Sequence, residues 1–569
     1  MIFSKLDWRF LFFLLLAVVI SSAFAFYIMG DNLSNPYVVQ DDFRQTNFWF
    51  WHFWDKSIFT DDLFTNNYKV AFNLAPLYLL SFKIAPLFTD DLIGFSKNYS
   101  LVLATLTGVA AFLFYSEESK KKYLESLIFS SFIAFIVWTT DHLSAAHIRS
   151  SIWLILFLYL FAKCKKSDIL AGLLCSISLF FNPSAFLLIY FSEFVGVFLD
   201  LKFKIQDYFK KYFSTVSFLV LNALITLSYH FLIRGGVSYL GEGHRFSCAE
   251  MKSLAEFNPG GRHPVFGANL WDDFGYSWWM SEHWGIGIGY LKISKIFILA
   301  VVVLLAYLIV KIFVKKNFDK SILVSPCLVL FYSAVTLNIL AQIIFPNLYM
   351  PSRFLAIPLL LLSCFLIFKI FAILFVFFAK ELKAREIKVS QVWLKNIFLI
   401  ALVAIIIWFF KDAIHPRFVS VNPQLVALVA KLDKQAMIAG HPLLADINSL
   451  SIFSKRKIYV DYERSISYTK STLQEIRKRN LIAIKMTYAT TKEEFLALAQ
   501  QEGITHFLAL RDLYNYRNLQ NARYINPYNQ FLKQTILQAK GQFFLAQYLD
   551  QIKQQYALID IASLVNSAS

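Results

Sequence analysis

The chain has 569 residues, 57% of them hydrophobic and 18% aromatic, and a formal net charge of +17. A soluble globular domain is nearer about 45–50% apolar, and windows close to the roughly 20 apolar residues that carry a helix across a bilayer recur along most of this sequence; a wholly soluble protein is excluded. The surplus Lys and Arg lie in short loops between apolar runs, which speaks against nucleic acid as a partner.

The first apolar run, 10–28, is like a signal-peptide core, but no small-residue cleavage site closes it before Asp31 and Asn32, so it reads as an uncleaved first span. Directly after it comes VVQDDFRQTNFWFWHFWD, residues 38–55. Asp41 and Asp42 are adjacent carboxylates, and the aromatic block behind them is expected to lie at the membrane interface and hold them near the headgroups. A carboxylate kept near apolar surface and a second carboxylate has a raised pKa, which suits a general base; the same pair suits a divalent cation, Mg or Mn. An ordinary hydrated loop is the plain alternative.

Further spans are expected at about 99–116, 125–140, 149–163, 167–182, 184–200, 213–233, 295–314, 322–345, 354–379 and 397–411, about eleven transmembrane helices in all. With 70–88 as a non-crossing stretch, the basic loops around Lys5 and Arg9, Lys120–Lys122, Lys163–Lys166, Lys202–Lys211, Lys315–Lys320 and Lys380–Lys395 all fall on one side. The positive-inside rule makes that side cytoplasmic. The other side, the periplasm of a bacterium, then holds a first outer loop (29–98), a second (234–294) and the tail (412–569). The expected division is a transmembrane domain, 1–411, and a soluble α/β domain, 412–569.

The remaining candidates for chemistry fall at the outer side. Asp141 and His142 end the third span, and Arg149 opens the fourth; Asp42, Asp141 and His142 form a candidate metal set. In EFNPGGRHPVFG, 256–267, two glycines permit a tight turn, followed by Arg262 and His263, so that backbone N–H groups and a guanidinium would converge on an anion. Asp272 and Asp273 are a second acidic pair. Arg353 is the one charge in NLYMPSRF and suits either phosphate capture or snorkelling to headgroups. In the tail, helices are expected at 423–433 and 469–486, strands near 436–439, 457–460 and 505–510, and a capping box at Thr491 and Glu494. The tail's excess of basic residues suits anionic lipids or an ordinary solvated surface. Walker A, dinucleotide, HExxH and CxxC patterns are absent from the sequence.

A first span leading to an acidic pair, a non-crossing first outer loop, about eleven spans and an outer tail resemble the GT-C glycosyltransferases, which include protein O-mannosyltransferases and the lipid A aminoarabinose transferase. DDFRQ, NPGGR, LYMPSR and IAGHPLLADI are similar to segments of an uncharacterised bacterial group within that superfamily. The resemblance implies an inverting glycosyltransferase of the cytoplasmic membrane. Its donor would be an undecaprenyl-phosphate-linked sugar and its acceptor a lipid, glycan or protein. Asp41 or Asp42 would be the base or metal ligand, and, from chemistry and topology, Arg149, Arg262, His263 and Arg353 would serve the donor phosphate. The competing readings are a transporter or lipid flippase, an O-antigen-type polymerase, and a non-catalytic membrane scaffold.

Overall fold

The computed structural model describes residues 7–72, 75–139, 146–147, 150–200, 205–228, 244–263, 325–344, 354–355, 357–370, 395–401, 403–404, 417–515, 519 and 522–566. Most of them are helical. Trp8–Met29 is a 22-residue helix whose N-cap, Asp7, accepts hydrogen bonds from the Arg9 and Phe10 amides. At 1.5 Å per residue it runs about 33 Å, enough for the hydrocarbon core of a bilayer. Leu92–Glu118, 27 residues, is the second described helix long and apolar enough to cross a membrane. The two touch through small side chains: a Cβ added to Gly108 would lie 1.9 Å from Ser21 Oγ, so glycine is what allows the approach.

Further apolar helices at Tyr123–Ile136, Ile152–Cys164, Asp168–Phe181, Pro183–Asp200, Ile205–Ser228 and Pro326–Ile344 overlap the described parts of the stretches expected to span at 125–140, 149–163, 167–182, 184–200, 213–233 and 322–345. The expected span at 295–314 lies outside the described residues, and those at 354–379 and 397–411 lie only partly within them. The bundle core is strongly aromatic, with Tyr115 stacked on Phe129 at 4.5 Å and Phe368 edge-on to both. At one end of the bundle, carboxylates meet ammonium groups from other helices: Glu117–Lys165 at 2.6 Å, Glu118–Lys369 at 3.0 Å, Glu125–Lys395 at 2.7 Å and Glu193–Lys163 at 3.0 Å. The Tyr123 hydroxyl donates to Asp7 at 2.6 Å, which fixes the N-terminal end of the first helix there.

At the other end, two polypeptide segments and the tail share one body. Strand β1, Val38–Gln40, pairs antiparallel with β2, Phe418–Ser420, so the start of the tail lies against the residues that precede the acidic pair. The first loop carries the short helices Leu63–Phe72 and Pro76–Lys83, of 10 and 8 residues. The tail carries a four-stranded sheet of β3 (Met437–Gly440), β4 (Lys457–Ile458), β5 (His506–Leu510) and β6 (Tyr556–Asp560). Its order is β4-β3-β5-β6, parallel except for β6. Side chains alternate across it. Ile438 and Leu508 face the helices Pro423–Ala430 and Ala445–Ser454, while Ala439, Phe507 and Ala509 join the core that includes the first loop.

That shared core corrects one expectation. Phe48, Trp49, Phe50 and Trp51 are buried among Ile452, Tyr459, Ile476 and Phe507 of the tail, not spread at a lipid interface. Trp51 Nε1 donates to the Ile452 carbonyl at 2.6 Å, and the Lys455 ammonium sits over the Trp51 ring at 3.7 Å. Large aromatic side chains bury wherever water is excluded; here protein excludes it.

Candidate active site

The acidic pair opens a helix. Gln40 is its N-cap, and the Gln40 side-chain carbonyl accepts from the Phe43 amide at 3.1 Å. Asp41 and Asp42 therefore stand in the first turn of Asp41–Thr46, where the helix dipole favours negative charge. Phe43 is fully buried and pins the turn, and the Asp41 amide donates to the Arg417 carbonyl at 2.8 Å, tying it to the tail. Helical spacing brings Arg44 and Gln45 back onto Asp41. Arg44 Nε and Nη2 approach Asp41 Oδ1 at 2.9 and 2.6 Å, and Gln45 donates to the same oxygen at 3.1 Å.

Arg262 arrives from the second segment. Gly260 has φ +84°, and a Cβ on Gly261 would lie 2.2 Å from the Ala255 carbonyl oxygen, so both positions require glycine. The Gly261 amide donates to Asn258 and the His263 amide to Glu256, each at 2.9 Å. These amides close the turn on itself. The turn is clamped to the tail by Glu256, fully buried, which receives Arg477 Nε and Nη2 at 2.6 and 2.7 Å. Asn526 donates its amide to the Gly260 carbonyl at 2.9 Å. The Arg262 guanidinium then lies over the Tyr462 ring at 4.7 Å, donates to the Tyr462 carbonyl at 3.0 Å, and is ion-paired with the Glu463 carboxylate. His263 instead turns to Tyr468, its Nδ1 3.4 Å from the phenol oxygen.

Glu463 joins the pieces. Its Oε1 is 3.8 Å from Arg44 Nη2 and its Oε2 binds Arg262. The loop that carries it is anchored by Asp461, whose carboxylate accepts from the Arg464 amide at 2.7 Å and from Arg464 Nε at 2.6 Å, both side chains being sealed from solvent. Burial pushes the Glu463 carboxyl above the usual range, Asp41 adds to that, and Arg262 and Arg44 offset only part of it. Burial works against the Arg262 charge, but Glu463, Tyr462, Tyr68 and Asp41 outweigh it, and the guanidinium is held more firmly protonated than usual.

Of the sequence-predicted residues, then, Asp41 and Arg262 come together, with Asp42 beside Asp41 in the same turn, while His263 faces the tail. Asp141, His142, Arg149, Arg353, Asp272 and Asp273 lie outside the described residues. The metal set loses two of its three members to that boundary, and among the described residues no group of three or more His, Cys, Asp or Glu is placed to hold a metal ion. Two residues of the cluster were not singled out from sequence. Arg44 stands inside DDFRQ, three residues from Asp41, where the spacing alone points to it. Glu463 stands in an unremarkable DYERS loop, and nothing local marks it.

No family model matches the sequence, and no curated protein matches it. Among solved structures, the chain is similar to the oligosaccharyltransferase AglB of the archaeon Archaeoglobus fulgidus in complex with an inhibitory peptide and a dolichol-phosphate. The identity is 11%, over 91% of this chain and 72% of that one, with a TM-score of 0.49. The apo form of the Archaeoglobus fulgidus oligosaccharyltransferase aligns at 10% identity over 90% of this chain and 71% of that one, also with a TM-score of 0.49.

Proposed function

We propose that this chain is an integral membrane glycosyltransferase of the GT-C type that moves a sugar from a polyprenyl-phosphate carrier to a hydroxyl or amine acceptor at the outer face of the cytoplasmic membrane. The observation that carries the reading is the cluster itself. Directly after the first long apolar helix, two carboxylates stand beside two guanidinium groups drawn from segments more than two hundred residues apart. Apolar helices bring such a site to a bilayer surface, and a lipid-linked sugar phosphate needs both functions there: a base for the acceptor and cations for the leaving phosphate.

In this reading Asp41 orients Arg44, since Asp41 Oδ1 is already committed to Arg44 and Gln45. Asp42, beside it in the same turn, is assigned as the base. The acceptor O–H or N–H gives its proton to the Asp42 carboxylate as the acceptor atom bonds to the anomeric carbon. The bond from that carbon to the phosphate oxygen breaks, its electron pair leaves with the polyprenyl phosphate, and Arg44 and Arg262 receive the charge. One displacement inverts the anomeric carbon. Arg149 and Arg353 are proposed to contact the same phosphate from the spans. His263 is assigned to holding the turn. A divalent cation held by Asp42, with Asp141 and His142, is a separate proposal.

The proposed topology places the N-terminus and the Glu–Lys end of the bundle in the cytoplasm and the tail outside. What supports it is that Lys163, Lys165, Lys369 and Lys395 gather at the end opposite the Asp41 cluster. The test is transfer from labelled undecaprenyl-phosphate sugars in membranes carrying the protein, with and without chelator. Transfer lost in folded Asp42→Asn supports the assignment; transfer unchanged in both Asp41→Asn and Asp42→Asn removes the pair from the chemistry.

A further inference from the structure

The cluster holds a cationic donor that no described residue answers. The Arg44 side chain is only 7% exposed. Its Nε and Nη2 serve Asp41, while its Nη1 is buried and meets no hydrogen-bond partner among the described residues. A buried charged N–H without an acceptor is rare in a native fold and marks a place where an acceptor belongs. Glu463 is the other carboxylate seen to pair with Arg44, and it fits poorly. Its carboxylate is shared between Arg44 and Arg262, stands 3.8 Å from the first, and is buried next to a second carboxylate. A carboxylate has two oxygens in one plane. A phosphate has a third, and its tetrahedral shape can meet Arg44 Nη1, Arg44 Nη2 and Arg262 Nη2 together.

We propose that Arg44 and Arg262 form a phosphate-binding site, and that Glu463 is the chain's own stand-in anion, displaced when a phosphate dianion or monoester binds. The exchange needs only a side-chain rotation. The Glu463 backbone stays where it is, because the Asp461–Arg464 pair fixes the loop and the Tyr462 amide donates to the Pro442 carbonyl at 3.1 Å. Arg262 also stays, because it is bound to the Tyr462 and Glu463 carbonyl groups at 3.0 and 3.3 Å and stacked on Tyr462. The two guanidinium groups are thus positioned before the ligand arrives, and the tail, through Glu463, reports whether the site is filled. Only the source of the phosphate, a lipid carrier, rests on the glycosyltransferase reading.

The experiment uses the full chain in nanodiscs. Affinity is measured for inorganic phosphate and pyrophosphate by 31P line broadening, and for polyprenyl phosphate against neutral polyprenol included in the disc by thermal shift. Wild type is compared with Glu463→Gln, Glu463→Asp and Arg44→Met, the last alone and combined with Glu463→Gln. Removing the competing carboxylate should tighten phosphate by roughly tenfold or more in Glu463→Gln, with the shorter Glu463→Asp tightening less, and adding Arg44→Met to Glu463→Gln should abolish the gain. Tightening for polyprenyl phosphate identifies the lipid as the source; tightening for the soluble probes alone keeps the site and assigns it a water-borne phosphate. Unchanged or weaker phosphate binding in folded Glu463→Gln or Glu463→Asp overturns the proposal, as does the absence of binding by every probe. None of these readouts depends on sugar transfer, so a failure of the glycosyltransferase reading shows separately, in the Asp42→Asn assay.

Discussion

The two ends of this molecule handle charge differently. At the Glu–Lys end, Glu117, Glu118, Glu125 and Glu193 each face a lysine from another helix at 2.6–3.0 Å, with Lys122 and Asp168 as more distant further partners of Glu125 and Lys163 at 3.8 and 3.9 Å. At the other end, Asp41, Arg44, Glu463 and Arg262 form one shared network, in which Glu463 bridges two arginines and Arg44 keeps a donor that no described residue accepts. Lysine is a point charge that one carboxylate can answer; a guanidinium is a fork with five donors that one carboxylate cannot exhaust. The first arrangement suits joining helices. The second leaves capacity for a ligand.

The sharpest way to break this contrast is at the acidic pair. If the network is a reaction site, Asp42→Asn should lower transfer by roughly 10²–10⁴-fold, the range of a lost general base, with the melting temperature unmoved. An equal loss of transfer and of fold would reduce Asp42 to a structural residue.

The docking of the second segment should matter next. Glu256 is fully buried against Arg477, whose side chain is 34% exposed, so truncating the carboxylate removes the clamp but leaves a cation that water reaches, at a cost below the about 3–5 kcal/mol of a wholly buried pair. Glu256→Ala should therefore release residues 244–263 from the tail and carry Arg262 away with them, seen as new proteolytic cleavage there. A tail that melts as before, with the segment still protected, would show that the clamp is not what positions Arg262.

How much of this could be read from the chain follows from where the information lies. The Asp41–Asp42 pair and Arg262 were legible because residue type and turn chemistry are local. In the tail, the strand expected at 505–510 is found at His506–Leu510 and the helix expected at 469–486 at Lys470–Thr487, since both have clear periods. Thr491 accepts from the Glu494 amide at 3.1 Å as its spacing suggested. The strand expected at 457–460 shrinks to Lys457–Ile458. β1 and β2, of three residues each, are too short to show alternation. Burial of the aromatic block was not legible, because Phe and Trp bury equally well against lipid or protein, and the covering surface lies about four hundred residues away at Ile452. Glu463 was missed for the same reason: its partners come from remote segments.

Acid should separate the two ends further. His441 follows β3, is sealed from solvent, and burial lowers its pKa from 6.5 to about 4. The fold thus favours the neutral ring. That contribution is complete above pH 6.5, fades as pH falls toward about 4, and amounts to roughly 3 kcal/mol. Glu463 acts in the opposite sense. Its carboxyl is raised, so the penalty for its charge is present above the raised value and is relieved as pH falls toward 4.5. Tail stability should fall between pH 6.5 and 4 in wild type, fall less in His441→Phe, and fall more steeply in Glu463→Gln. Identical acid profiles in all three would mean that neither group titrates as the buried geometry requires.

The smallest effect belongs to the Glu–Lys end and tests the comparison most directly. Glu118 and Lys369 are 31% and 22% exposed, and Lys369 also lies 5.2 Å from the centres of the Tyr115 and Phe365 rings. A partly exposed pair of this kind couples by about 0.5–1 kcal/mol. In a double-mutant cycle of Glu118→Gln and Lys369→Met, the coupling should be of that size and should appear in stability alone, leaving phosphate affinity untouched. The parallel cycle of Glu463→Gln and Arg44→Met should instead show its coupling in phosphate affinity, because there the carboxylate and the ligand compete for the same fork. Coupling of the same kind at both ends would mean that the lysine pairs and the arginine network serve one structural purpose, and the contrast between the two ends would fall.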